Sequence, residues 1–432
     1  MDAVDFLDIE PFEVCSIRPP TENYSLTFRL TRNCYWNKCA FCPVYKFGAR
    51  FSRRSLEEVT GDIGRAKRID DLINQRGIGI PDYSESDYTR IRYIIEQIYA
   101  AKKAAGHTFD ETVESVEPAQ GMDPRLAWFL TWFKEKPAIE ESVNHLLTWR
   151  MAGSETCFLG DSDGLILRRD FLGVVIERVK AAFPSITRFT IYGRTKSAAR
   201  LRTVAELAAF REAGLHRVHF GLESGSDRVL ELAAKGVTSE DHIEGCLKTK
   251  EAGLSCSLYV MPGLGGKKLS EEHAHETARV INAIGPDFIR IRTLEVFPGT
   301  PLADAREKGD FVECDEEQAV RELKTLIEEI DVPVEILSDS ASNLLDLFGQ
   351  LPDDRPRLLE AIDSYLYLPR REKLILSLNA RLRSFVGQYG NLSGDLVEAL
   401  TPFARDRRID VSLAGDGDLT RLIGLIRAKL MP

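Results

Sequence analysis

The stretch Tyr24-Ser-Leu-Thr-Phe-Arg-Leu-Thr-Arg-Asn-Cys34-Tyr-Trp-Asn-Lys-Cys39-Ala-Phe-Cys42 carries two readings at once. Its first half, residues 24–31, alternates apolar and polar side chains of β-favouring type, which predicts a strand. Its second half places three cysteines in a C-x4-C-x2-C spacing. So short a loop cannot carry its side chains far apart, so three sulfurs can converge on one metal centre. A structural zinc site wants four ligands, and the next histidine is far off at His107. An iron–sulfur cube held by three cysteines leaves one iron open to a substrate or cofactor. Zinc completed by a distant residue, and three merely structural cysteines, remain the alternatives.

Outward from this stretch, Ser55 and Glu58 form a capping-box pattern for a helix from Ser52 to about Asp70. Residues 70–150 carry few strand signals and several helical stretches, among them Tyr88–Ala105 and Pro124–Lys134, and read as a helical insertion. A strand–helix rhythm follows. Strands are predicted at Thr156–Leu159, Arg188–Tyr192, Arg217–Leu222, Ser255–Met261 and Phe288–Val296, with helices at about 170–182, 197–213, 226–252 and 271–284. Leu201, Val204, Leu207 and Ala208 share one face of the second. Such alternation implies right-handed crossovers and a parallel sheet. With the strand before the cysteines there are six repeats, fewer than the eight of a closed barrel, so the fold class expected is α/β, a partial (β/α)6 TIM-like open barrel. The domain reading is an extension over 1–23, a core over 24–315 with its insertion, and a mostly helical region over 316–432, with breaks at Pro333 and Leu351–Pro356.

Composition narrows the class of partner. The chain has 432 residues, 44% hydrophobic, with 57 Lys and Arg against 67 Asp and Glu, a net charge of -10. That balance disfavours non-specific binding to nucleic acid or anionic membrane, so RNA is an unlikely partner and a small molecule or peptide is favoured. The acidic start is no secretory signal, and no apolar run reaches the ~20 residues that span a bilayer; a cytoplasmic location without membrane attachment is expected. Cys15, Cys157, Cys246, Cys256 and Cys314 are dispersed and read as small core residues.

The cysteine segment resembles the cluster motif of the radical S-adenosylmethionine (radical SAM) superfamily, with one residue more between Cys34 and Cys39 than is usual there. Phe41 matches the aromatic that precedes the last cysteine in that motif. Val218-His-Phe-Gly-Leu-Glu-Ser-Gly-Ser226, Tyr259-Val-Met-Pro-Gly-Leu-Gly-Gly266, Phe297-Pro-Gly-Thr-Pro301 and Leu159-Gly-Asp-Ser-Asp163 are similar to successive strand ends of the branch holding coproporphyrinogen dehydrogenase, the methylthiotransferases and Elongator-like proteins. The resemblance runs from about Tyr24 to Leu302. It implies a [4Fe–4S] cluster on Cys34, Cys39 and Cys42, S-adenosyl-L-methionine on its open iron, an external one-electron reductant such as flavodoxin or ferredoxin, and a 5′-deoxyadenosyl radical that takes hydrogen from an unidentified substrate. A non-catalytic carrier or chaperone binding SAM or haem is the alternative that the same resemblance leaves open.

Residue roles follow from the resemblance. Phe41, Met261 and Gly263 would lie by the adenine. Gly160 with Asp161 or Asp163 would receive the cofactor ammonium, with a solvated turn as the plain alternative. Glu223 and Ser224 would lie by the ribose or methionine part, unless Glu223 makes a surface ion pair. Arg194 would meet the cofactor carboxylate, unless it is a solvated helix-end arginine. Lys38 and Arg32 flank the loop and would raise the cluster's potential. A methylthiotransferase would carry three cysteines before the motif, where only Cys15 stands. A cobalamin domain would need more than the few residues before Cys34, and the last hundred or so residues look too short and too helical for an acetyltransferase domain. Trp128, Trp132, Trp149, His107 and His145 of the insertion would cap the pocket; the plain alternative is that Trp128, Trp132 and Phe129 form an amphipathic core face.

Overall fold

The computed structural model describes residues 5–15, 17–44, 46, 50–78, 85–107, 122–123, 125–127, 137–392, 394–405 and 408–430. Among them, eight strands form one open sheet in the order β1-β4-β5-β6-β7-β8-β9-β10. These are β1 (Leu26–Arg29), β4 (Thr156–Gly160), β5 (Arg188–Gly193), β6 (Leu215–Glu223), β7 (Ser255–Val260), β8 (Phe288–Ile291), β9 (Val334–Leu337) and β10 (Phe348–Leu351). A two-residue ribbon, β2 (Thr31–Arg32) with β3 (Ser52–Arg53), flanks the cysteine loop. Every pairing from β1 to β9 is parallel, and β10 closes antiparallel on β9.

The α/β class, the open mostly parallel sheet and the six expected strands are thus present, and the sheet continues past the sixth. Val334-Glu-Ile-Leu337 and Phe348-Gly-Gln-Leu351 lie in the region read as mostly helical, yet Val334 and Ile336 are buried on the core face and pair in register with β8. The helices of that region are Glu316–Glu329, Arg355–Leu366, Arg370–Tyr389, Gly394–Leu400 and Asp416–Arg427.

Two predicted helices are each split. Thr203 accepts from the Glu206 N–H and Glu206 from the Thr203 N–H, starting a new helix at Val204 after Thr195–Leu201. Leu201, expected on the apolar face, ends its helix 57% exposed. The same device at Thr238 and Asp241 separates Asp227–Leu232 from Ser239–Glu251. The Ser55–Glu58 capping box opens Leu56–Gln75 as read.

Strand alternation sorts the side chains into two environments. Cys157, Leu159, Phe189, Ile191, Val218, Phe220, Cys256, Leu258, Ile289 and Ile291 join the apolar core beneath the helices. Thr190, Tyr192, His219, Ser257, Tyr259 and Arg290 occupy the opposite face. The segment before β1 crosses that face: buried Glu22 reaches Arg188 at 3.3 Å and His219 at 3.4 Å, and Thr21 Oγ1 accepts from Arg290 at 2.8 Å. The sheet therefore curls around a polar interior whose strand-start end is plugged by residues 20–22.

In the insertion, helix Ile139–Met151 packs on the outside. His145 Nε2 bonds the Thr27 N–H at 3.0 Å, and burial lowers its pKa to about 3. Trp149 stacks edge-on against Phe183 at 5.4 Å. Both are core residues and His107 is exposed. Arg125 does reach the strand-end side, over Phe297 at 4.5 Å; Trp128, Phe129 and Trp132 lie outside the described residues. No helix of the described residues is long and apolar enough to cross a membrane.

Candidate active site at the cysteine loop

The cysteine loop leaves β1 at its carboxyl end, where ligands of parallel sheets bind. Its entry is held by the end of β4. Asp161 accepts the Asn33 N–H at 3.2 Å, and Ser162 Oγ donates to Asn33 O at 3.2 Å. Arg29 pairs with the same carboxylate at 2.7 Å, and the Cys15 thiol donates to it at 3.1 Å. Burial first, and then the Asp161 charge, push the Cys15 thiol well up, so it stays protonated. Gly160 is required here, because a Cβ would stand 2.2 Å from Cys15 Sγ.

The far side of the loop docks on the turn Ala233-Ala-Lys-Gly236. Ala40 N–H donates to Ala233 O at 2.8 Å and Trp36 Nε1–H to Ala234 O at 2.9 Å. Gly236, at φ +69°, lies under the indole: a Cβ would come within 2.0 Å of Trp36 Cζ2. Arg194 is laid on Trp36 and Tyr35, at 4.7 and 5.5 Å from the ring centres, and donates to Tyr35 Oη at 3.2 Å and to the Lys235 carbonyl. Leu302 N–H closes the loop from the first turn of the helix Pro301–Lys308, donating to Ala40 O at 2.9 Å.

These contacts bring Cys34, Cys39 and Cys42, all free of disulfides, to the head of the sheet. Burial, then the Cys39 and Cys34 sulfurs, push the Cys42 thiol up to about 12. Burial also raises Cys39, against which the Lys235 and Arg194 cations act. Among the described residues no group of three or more His, Cys, Asp and Glu side chains is drawn together as for a single metal ion. Three half-buried free thiols with two cations, Lys235 and Arg194, to offset thiolate charge suit a [4Fe–4S] cluster with one open iron.

The other sequence candidates divide. Glu223 ends β6 with φ +65° and pairs with buried Lys235 at 2.9 Å; a left-handed φ on a non-glycine is a strained geometry that clusters at functional sites. Lys235 sits 5.9 Å from the Phe41 ring. Burial works against its charge and is outweighed by Glu223 and Cys39, so its pKa is raised. Phe41 packs into the apolar cluster containing Met261 and Leu294. Ser224 Oγ is bonded to His273 Nδ1 at 2.8 Å, and His273 Nε2 to Met261 O at 3.0 Å, so one imidazole joins the turns after β6 and β7. Gly263, φ +88°, donates its N–H to Glu322 at 2.6 Å.

Asp161, Asp163 and Arg194, expected to face a cofactor, are engaged internally. Asp163 is fully buried and accepts from Leu165 N–H, Arg194 N–H and Ser197 Oγ at 3.1, 3.2 and 2.6 Å. Burial nevertheless pushes its pKa up to about 6. It couples the ends of β4 and β5. The Asp161 carboxylate is likewise shared between Arg29, Cys15 and the Asn33 N–H, and the Arg194 guanidinium is spent on the loop. Of the loop's flanking cations, Lys38 lies over Trp36 at 5.1 Å, and Arg32 is paired with Glu13 and with Glu58 at 2.9 Å. Sequence reading missed Arg29, Tyr35 and Trp36; it placed Lys235-Gly236 in the resemblance after the fourth predicted strand but gave Lys235 no role. Lys235-Gly236 follows the Glu-Ser-Gly turn at short range, and that proximity was the available signal.

Residues 130–281 match the model of the family described as the radical SAM superfamily. That span starts after the cysteine loop and covers β4 to β7. Among curated proteins the chain is 28% identical over 116 residues to a tRNA uridine(34) acetyltransferase of Methanocaldococcus infernus, covering 27% of this chain and 22% of that protein. It is 30% identical over 94 residues to an uncharacterized methyltransferase of Pyrococcus horikoshii, covering 22% and 20%. The chain therefore aligns with about a fifth of the length of these relatives. Among solved structures, the M. infernus Elp3 lacking its N-terminus is 19% identical with a TM-score of 0.37, over 49% of this chain and 53% of that one.

Proposed function

We propose, from the premise that this chain belongs to the radical SAM superfamily, that Cys34, Cys39 and Cys42 hold a [4Fe–4S] cluster at which SAM is cleaved and hydrogen is abstracted from a substrate inside the curled sheet. Bound there, a reduced cluster would supply the electron for reductive cleavage of SAM. The observation that carries the reading is the docking of the three-cysteine loop on the Ala233–Gly236 turn, which gathers the thiols, Lys235–Glu223 and Phe41 at one end of the sheet.

The chain's own residues supply position and charge. Arg29, Asp161 and Ser162 fix the loop's first residue. Arg194, stacked on Tyr35 and Trp36, keeps a cation beside the thiolates while its hydrogen bonds tie the loop to the ends of β5 and β6. Lys235 sits between Glu223 and Cys39, where it offsets negative charge at the cluster and leaves Glu223 a second oxygen for a ribose or methionine group. Phe41 and Met261 offer an apolar wall to an adenine ring. Protection of a radical from water then falls to the buried interior and the loop that covers it.

The substrate class favoured is a small molecule or peptide, in line with the net charge of -10. An RNA substrate is the second reading, supported by the similarity to a protein named as a tRNA uridine(34) acetyltransferase. The test is anaerobic reconstitution followed by reduction with dithionite or flavodoxin. Iron near four per chain and 5′-deoxyadenosine are expected, and both are lost in Cys34→Ala, Cys39→Ala and Cys42→Ala. Cleavage that survives in any of these variants overturns the proposal, and zinc in place of iron does so equally. Deuterium transfer into 5′-deoxyadenosine from a labelled metabolite extract, compared with labelled total tRNA, separates the two substrate classes.

A further inference from the structure

Arg292 continues the extended run of β8, its N–H donating to Val260 O at 3.0 Å. The alternation Phe288, Arg290, Arg292 sends its side chain to the inner face. Arg290, two residues earlier, is fully buried and fully engaged: it donates to Ser257 Oγ at 3.1 Å and Thr21 Oγ1 at 2.8 Å and pairs with Asp339. Arg292 is half-buried, and among the described residues its guanidinium has neither an ion pair nor a hydrogen bond. Cys42, Tyr192, Tyr259 and Asp339 all lie within its electrostatic reach.

The same interior holds polar atoms with no partner in the protein. Thr190 Oγ1, His219 Nδ1 and Asp339 Oδ1 are buried and unsatisfied, and the buried Tyr259 hydroxyl lies beside the Tyr192 side chain. Tyr259 is only 8% exposed, and Thr190 and His219 are completely enclosed. Native proteins rarely leave such atoms unpaired, so an unpartnered guanidinium near Tyr259, in the same interior, describes a receptor for something polar and negative. Arg290 is already paired with Asp339, so Arg292 is the cation left for an incoming group, and a planar carboxylate matches its guanidinium fork.

We propose that Arg292, assisted by the Tyr259 hydroxyl, binds the carboxylate of a small-molecule substrate in the interior next to the cysteine loop. This names the substrate class for the radical SAM reading given above and rests on it. The unsatisfied Asp339, Thr190 and His219 atoms lie further along the same face and accept or donate to polar groups on the rest of that molecule.

The test uses the full-length, anaerobically reconstituted protein and succinate as probe, with uncharged succinamide, inorganic phosphate and SAM titrated in parallel by calorimetry. Succinate is expected to bind the unaltered protein. Arg292→Gln should weaken it at least tenfold, Tyr259→Phe a few-fold, and Arg292→Lys should fall between, with unchanged melting temperatures. Failure of succinate to bind, equal affinity in R292Q, equal binding of succinamide, or preference for phosphate overturns the proposal. A parallel loss of SAM affinity in R292Q also overturns it, by assigning Arg292 to the cofactor's carboxylate. Formation of 5′-deoxyadenosine is measured in the same samples. Succinate binding that depends on Arg292 without any SAM cleavage sinks the radical reading and leaves this site standing; cleavage without such binding does the reverse.

Discussion

Adding one methyl group at Gly236 should release the cysteine loop. The added Cβ would lie 2.0 Å from Trp36 Cζ2 and 2.4 Å from Cη2, on a residue already at φ +69°. The left-handed backbone costs an alanine about 1 kcal/mol. Keeping the indole in place would add about 1–3 kcal/mol of overpacking. Letting it swing out forfeits its hydrogen bond to Ala234 O, about 1 kcal/mol, and the Arg194 contact, about 1 kcal/mol. The two routes cost similar amounts, so Gly236→Ala is expected to lower stability by about 2–4 kcal/mol and to loosen the loop. The assay is alkylation of Cys34, Cys39 and Cys42 in the apo protein, followed by mass spectrometry, together with iron retained after reconstitution. Faster alkylation and less iron are expected. A double-mutant cycle with Trp36→Ala isolates the clash: in that background Gly236→Ala should cost only the backbone share, about 1 kcal/mol, leaving a coupling of about 1–3 kcal/mol. Unchanged alkylation and iron in G236A, or strictly additive costs, would refute the docking account.

Other sites give independent expectations. Arg29→Met strands Asp161, whose side chain is 2% exposed, and should cost about 3–5 kcal/mol; Asp161→Asn in the same chain should recover much of it, read by chemical denaturation. Gly160→Ala should lose about 1–3 kcal/mol through collision with Cys15 Sγ, with Cys15→Ala restoring the loss in the melting curve. Asp163 titrates near 6 when folded, against an ordinary value of 3.8. A raised carboxylate pKa contributes stability that is complete below the unfolded value and lost as pH climbs through the folded one. The unfolding free energy from denaturant titrations should therefore fall between about pH 4 and pH 6, by up to about 3 kcal/mol, and Asp163→Asn should flatten that slope.

The elements that were legible are those written in local pattern. Alternation over residues 24–31 and at the five later strands marked the sheet, and Ser55 with Glu58 marked a helix start. Errors arose where a local signal was present but outvoted. Thr203–Glu206 and Thr238–Asp241 are capping boxes inside long apolar periodicities, and they split the two helices read as continuous. Val334–Leu337 is only four residues long in a helix-rich region, and its identity as a strand comes from the open edge of β8 beside it. At the site, cysteine identity and the glycines of the strand-end turns were visible, but the partners of the charged residues were not. Asp163 looks like a free acceptor in a turn and proves to be the buried acceptor for Arg194 and Ser197.

The amino-acid order alone determined that three sulfurs follow the first strand and that each later strand ends in a turn able to approach a ligand, because spacing and periodicity are properties of neighbours along the chain. The folded structure decided which charges are spent and which are free. Arg29 meets Asp161, Arg194 meets Tyr35 and Trp36, Lys235 meets Glu223, and Arg292 is left facing the interior without a partner among the described residues. Pairing of that kind depends on distances across the sheet between residues up to 159 positions apart, and only closure of the fold sets them.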